Sequence, residues 1–194
     1  RLPRLSPPPG EAGAMALRLE PSSRGGDQVL VAENARLEIG GRTLLDRFTA
    51  RVTRGEVIGL IGANGAGKST LVRAIIGERP LAGGSIRVGE SIDVAYYRQD
   101  MSQVPPERTL FSIIHDLRPL WNRGQVQGHL GRFDFSGDSV QRTAGSLSGG
   151  EQARVALAIL MLTRANFLIL DEPTNHLDVE SIEALEDALR EFDG

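Results

Sequence analysis

Residues 57–70 read VIGLIGANGAGKST, and the stretch that decides the fold is Gly62 to Thr70, GANGAGKST. It fits the pattern G-x-x-x-x-G-K-[ST], follows a short apolar run (Val57 to Ile61) and opens a helical stretch from about Lys68 to Gly77. Each residue type has a physical reason. Gly62, Gly65 and Gly67 permit left-handed backbone angles, so the amides of Asn64, Ala66 and their neighbours can close around phosphate oxygens. The start of the helix adds positive potential. Lys68 can place a compact ammonium between the β- and γ-phosphates of a nucleotide. Ser69 and Thr70 follow it, and the Ser69 hydroxyl suits Mg²⁺. The run before the loop, apolar on both faces, predicts a buried strand.

Composition agrees that Lys68 matters. The chain has 194 residues and 22 basic side chains, of which only Lys68 is a lysine. An arginine fork is wide and planar, and it would fit this slot worst. The net charge of −3 hides an asymmetry: residues 166–194 carry −8, which leaves +5 on residues 1–165. With no cysteine there is no disulfide framework, thiol nucleophile or Cys-bound zinc. Three scattered histidines, His115, His129 and His176, make no metal centre, and the first two read as ordinary helix residues. The longest apolar run, around Val155 to Leu162, is short of the ~20 residues of a membrane span, and a reducing cytoplasm is the expected compartment.

Outward from the loop, residues 1–26 are rich in Pro, Gly and Ser and read as a linker. QVLVAENARLEI from Gln28 reads as two short strands around Glu33-Asn34, and Thr43 to Val52 as another strand before the turn at Thr53 to Glu56. Ser85 to Val88 and Ile92 to Tyr97 are strand-like. Leu110 to Trp121 has helical spacing, Val126 to Phe133 forms a second short helix, and residues 107–145 read as a helical insertion. A buried helix then runs from Gly149-Gly150 to about Thr163, Phe167 to Leu170 is a buried strand, and Ser181 to Phe192 an acidic amphipathic helix.

That last strand ends in Asp171 and Glu172. The carboxyl edge of an open α/β sheet is where ligands bind, and two acids there need a compensating cation. Asp171 can hold a metal's water shell, and Glu172 can accept a proton from an attacking water. Taken alone, Asp171 suits the exposed start of a helix equally well. Similarly, Gly149-Gly150 taken alone reads as a plain turn and helix cap.

Three further strings change that balance: LSGGEQ (Leu147 to Gln152), DEPTNHLD (Asp171 to Asp178) and Gln99 ending YYRQ. With GANGAGKST they resemble, in order and spacing, the ATP-binding cassette of ABC ATPases over residues 28–194. The resemblance implies an α/β fold: a P-loop NTPase core with an antiparallel β portion and a helical subdomain. Residues 27–194 form the ATP-binding domain in that reading, with its helical subdomain at about 107–163. It implies ATP and Mg²⁺ as ligands, with Ser69, Gln99 and Asp171 toward the metal and Glu172 and Gln99 catalytic. It also implies a composite site, in which Ser148, Gly149, Gly150 and Glu151 cap nucleotide held by a second cassette and Asp178 lies at the interface. Alignment on GGRTLL puts Ile39 where the family often stacks an aromatic ring on adenine; an aliphatic face packs there without π stacking.

TNHLD, Glu151 and the compact insertion resemble the ABC-F branch, soluble twin-cassette proteins acting on the ribosome, and the leading linker resembles the approach to a second cassette. Partners implied are a second cassette and the ribosome or its RNA, with no membrane partner favoured. The resemblance also implies a further strand and a switch histidine after EFDG, a place His176 does not fill, so that the isolated chain is expected to turn over little ATP. Two other readings are a transporter's nucleotide-binding subunit and a module that binds ATP without turnover.

Overall fold

The computed structural model describes residues 27–192, so the expected linker at 1–26 lies outside the described residues. Two small sheets and a cluster of helices make up the described residues. β1 (Gln28–Ile39) and β2 (Arg42–Thr53) form a hairpin whose two-residue turn is Gly40-Gly41, both at positive φ as such a turn needs. β3 (Gly83–Val88) pairs antiparallel on the other edge of β1, in the order β2-β1-β3. The inner face of this sheet carries Leu30, Ala32, Ala35 and Leu37. Against it packs α1 (Lys68–Ile75) through Leu71 and Ala74, with Leu44, Phe48 and Ile86 closing the gap.

β4 (Val94–Tyr97) and β5 (Phe167–Leu170) form the second sheet, parallel and in register from Val94 opposite Phe167 to Tyr97 opposite Leu170. Between these strands in sequence run α2 (Leu110–Leu117), α3 (Arg123–Gly131), two short 3-10 turns and α4 (Gly149–Leu162). Leu110, Ile114, Val126, Leu130, Phe133 and Leu157 form their common core, which α5 (Val179–Arg190) joins through Ala184, Leu185 and Ala188. Each large apolar side chain buried there contributes about 1.5–3 kcal/mol. The architecture is the α/β arrangement expected from the sequence: a phosphate-loop core, an antiparallel sheet and a helical subdomain. Among the described residues no helix is long and apolar enough to cross a membrane.

Local expectations change in four places. Residues 28–39 are one strand, not two, because a bulge absorbs the turn-like pair: register moves from Ala32 opposite Ala50 to Ala35 opposite Phe48. Asn34 takes φ 47° there, and its amide donates to Thr49 Oγ1 at 3.1 Å. The helix expected to reach Trp121 stops at Leu117, since Pro119 forces Arg118 out of helical angles, to φ −138° and ψ 70°. α3 starts earlier than expected because Asn122 and Gln125 form a reciprocal cap. The largest correction concerns Val57 to Ile61, which forms no ladder and is not buried: Val57 is 100 % exposed and Ile61 95 %. A run of apolar residues states a need for neighbours on both sides, and among the described residues no strand pairs with it.

Candidate phosphate-binding site

The loop after this run turns into α1 at Gly67, which caps the helix at φ 99° and ψ 13°. A Cβ at Gly67 would meet Leu44 Cδ1 at 3.1 Å, so both angle and space demand glycine. Ala66 N–H donates to the Ala63 carbonyl at 3.1 Å, which tightens the loop, and Leu71 N–H to the Gly67 carbonyl at 2.9 Å begins the helix. The Lys68 ammonium donates to the carbonyls of Gly62 (2.8 Å) and Ala63 (3.1 Å). An ammonium has three donors, so this grip on the loop leaves one for an anion.

A cavity of about 540 Å³ opens beside the loop. Asn64, Gly65, Gly67, Lys68, Ser69 and Thr70 form one wall, Ile39, Arg42 and Leu44 of the hairpin another, and Gln99 and Glu172 complete it. The structure therefore gathers most of the expected site residues around one space. Gly62 and Ala66 are not on the wall. Asp171 is also off it, half-buried beside an adjoining apolar cleft that Glu172 and Leu170 share.

Each of the two acids has donors. Asp171 N–H continues the ladder to the Tyr97 carbonyl at 3.1 Å, and Asp171 Oδ2 accepts from the Tyr96 hydroxyl at 3.1 Å. Burial, and then the Asp171 charge, push the Tyr96 phenol up to about 12, so it stays protonated as a donor. The Arg98 guanidinium lies over the Tyr96 ring at 4.7 Å and pairs with Glu78, tying the end of β4 to the end of α1. Glu172 takes φ 50°, and its Oε2 accepts from Gln99 Nε2 and Asn175 Nδ2, both at 2.7 Å. Sequence alone singles out neither Tyr96 nor Asn175. Asn175 lies inside the quoted DEPTNHLD string, whereas nothing local to Tyr96 points to Asp171, 75 residues away.

The expected metal donors are of one chemical kind. Among the described residues no group of three or more His, Cys, Asp or Glu is gathered to hold a metal ion. Ser69 hydroxyl, Gln99 amide oxygen and Asp171 carboxylate are hard oxygen donors with one formal charge, a set that suits Mg²⁺ when phosphates and water supply the rest.

The glycine pair at the start of α4 sits apart from this cavity. Ser148 Oγ accepts from Glu151 N–H at 3.3 Å, and Glu151 Oε2 accepts from Ser148 N–H at 2.7 Å, a reciprocal cap. The Arg142 guanidinium at 2.7 Å and that Ser148 amide hold the Glu151 carboxyl down at about 2. His176, at φ 67°, lies on the glycines: a Cβ at Gly149 would be 3.7 Å from its ring, and one at Gly150 3.1 Å from its carbonyl oxygen. Asp178 caps α5 by accepting from Ser181 N–H at 2.9 Å and pairs with Arg154 of α4 at 3.1 Å. His129 is buried and within 2.9 Å of the Ala158 carbonyl, and His115 stacks on Phe111.

Comparison with known proteins matches residues 45–175 to the family model described as ABC transporter. The chain is 38 % identical over 182 residues to the energy-dependent translational throttle protein EttA of Haemophilus influenzae, covering 92 % of this chain and 33 % of that protein. It is 39 % identical over 186 residues to the ATP-binding protein Uup of the same organism, covering 94 % and 29 %. The chain thus spans about a third of the length of these curated relatives. Among solved structures, a bacterial Atm1-family ABC exporter with ATP bound superposes with a TM-score of 0.73 at 21 % identity, covering 93 % of this chain and 35 % of that one, a likeness of fold.

Proposed function

The chain belongs to the ATP-binding cassette family and to its ABC-F branch, and from that premise we propose that it binds Mg²⁺-ATP and, paired with a second cassette, hydrolyses it to ADP and phosphate. The observation that carries this reading is the single cavity onto which the phosphate loop, Ile39, Gln99 and Glu172 all open. The loop amides and Lys68 hold the β- and γ-phosphates, and Ile39 packs on the base by dispersion. Ser69, Gln99 and Asp171 are the residues for Mg²⁺, which when bound would neutralise charge on the transferring phosphoryl oxygens. Glu172 accepts the proton of the attacking water, and Gln99 holds its carboxylate. Ser148, Gly149, Gly150 and Glu151 act on nucleotide bound by the second cassette, with Asp178 at the interface. Residues 27–194 are the ATP-binding domain, with its helical part at about 107–163.

For the whole protein, the reading is a cytoplasmic ATPase whose closure acts on the ribosome. Its support is the likeness to a protein named a translational throttle and to Uup. In the whole protein, Glu172→Gln is expected to keep ATP affinity and lower turnover by ~10²-fold or more, whereas Lys68→Ala weakens nucleotide binding itself. Phosphate release and titration of a fluorescent ATP analogue measure the two effects; full turnover by Glu172→Gln overturns the assignment. Co-sedimentation of the Glu172→Gln protein with ribosomes supports the cellular role, and co-purification with a membrane permease in its place overturns it.

A further inference from the structure

Glu172 is the only residue of the cavity whose side chain receives two amide donors on one oxygen, among the described residues. Gln99 reaches it from the end of β4. Asn175 reaches it from three residues further along its own chain, in a turn closed by Asn175 N–H to the Glu172 carbonyl at 3.2 Å. Bonds from N–H to a charged oxygen are roughly twice as strong as neutral ones, and two of them on one oxygen hold that oxygen in place. The geometry points to Asn175 as a positioning residue for Glu172, a role that rests on the reading of Glu172 as the base.

Several features make this more than a turn contact. Glu172 sits at φ 50°, an angle that costs a side-chain-bearing residue of order 1–3 kcal/mol and persists only when surroundings impose it. That angle aims the carboxylate back over its own turn, within reach of both amides. With Oε2 taken by Gln99 and Asn175, Oε1 is the oxygen left to receive a proton. The residue type also follows: an aspartate at position 175 would set a like charge against Glu172, and an alanine would leave Gln99 as a single, pivoting anchor. The turn is itself fastened outside the cavity, since His176 lies on Gly149 and Gly150 and Asp178 pairs with Arg154 of α4. Asn175 is therefore the point where the loop resting on α4 touches the base.

The test uses the whole natural protein and four variants: Asn175→Ala, Asn175→Asp, Glu172→Gln and the double variant Asn175→Ala with Glu172→Gln. Asn175→Ala is expected to lower kcat by about tenfold or more while KM and affinity for a fluorescent ATP analogue stay within about twofold. Asn175→Asp should lose at least as much. On the Glu172→Gln background, Asn175→Ala should cost nothing further, because its effect passes through Glu172. Unchanged kcat in Asn175→Ala, a matching loss of ATP affinity, or an additive loss in the double variant overturns the role. Wild-type turnover by Glu172→Gln overturns the base assignment itself, a result distinct from an inactive Glu172→Gln beside a fully active Asn175→Ala, which removes only the positioning role.

Discussion

Replacing the phosphate-loop glycines one at a time by alanine separates three costs that the loop combines. Gly62 has ordinary backbone angles, and a Cβ there would lie 3.5 Å from Ala66 Cβ, an ordinary contact. Gly62→Ala should change stability by less than about 0.5 kcal/mol. Gly65 has φ 78° with nothing within 4 Å of an added Cβ, so Gly65→Ala carries backbone strain alone, about 1–2 kcal/mol. Gly67 combines φ 99° with a Cβ placed 3.1 Å from Leu44 Cδ1 and 3.3 Å from Leu44 Cβ. Strain of ~1–3 kcal/mol and crowding of ~1 kcal/mol put Gly67→Ala at about 2–4 kcal/mol. The strain has no cheap release. Gly67 caps α1, whose Leu71, Val72 and Ala74 are buried, so relaxing the cap drags a packed helix with it. Urea unfolding followed by circular dichroism measures all three variants, and ATP-analogue titration should show Gly67→Ala as the weakest binder of the set. A Gly62→Ala as costly as Gly67→Ala, or a Gly67→Ala as stable as the parent, would falsify the reasoning.

Two further outcomes concern pH. Tyr96 and Tyr97 are the chain's two tyrosines, and burial pushes both phenols up to about 12, with the Asp171 charge adding to Tyr96. The fold thus favours their neutral forms: that stability is complete below the ordinary 10.0 and lost as pH rises toward 12. Phenolate absorbance of the folded chain should stay flat to about pH 11, and a full transition centred at 10 refutes the burial argument. Glu151 is held down at about 2 from an ordinary 4.5, first by Arg142 and then by the Ser148 amide. Its contribution is present above pH 4.5 and lost as pH falls to about 2, so Glu151→Gln should flatten the acid limb of stability against pH. Urea midpoints stepped through that range check it, and an acid limb as steep in Glu151→Gln as in the parent removes Glu151 from the account.

What could be read from sequence is what short range determines. The phosphate loop, α1 and the acids after β5 depend on residue types within a few positions, and they stand where expected. The end of α2 was also local: Pro119 stops the helix, although apolar spacing continues to Trp121. Burial of Val57 to Ile61 was not legible, because apolar character says that a segment would gain from neighbours and not which neighbours it has. Donors to the acids fall between these cases. Asn175 shares a turn with Glu172, and its role follows once φ at Glu172 is known. Tyr96 meets Asp171 only through the parallel pairing of β4 with β5, which no local pattern encodes.

Charge around the cavity bears on the proposed pairing of two cassettes. Its wall brings two cations, Lys68 and Arg42, and Glu172 stands on it with Asp171 one residue behind, so the side chains nearly cancel. A magnesium–triphosphate unit retains roughly two negative charges, which these side chains do not offset. Loop amides and the positive end of α1 supply part of the difference, equivalent to about half an elementary charge for the helix. In the proposed pairing, another helix start aimed at the γ-phosphate supplies the rest. The start of α4 is such an end, capped by Ser148 and Glu151 and stripped of side chains at Gly149 and Gly150, yet it does not line this cavity. In its own cassette it carries the loop bearing His176 and Asn175, which ends on Glu172. In the proposed pairing, nucleotide of one cassette faces the α4 start of the other, against which the loop carrying His176 and the Glu172 donor Asn175 rests.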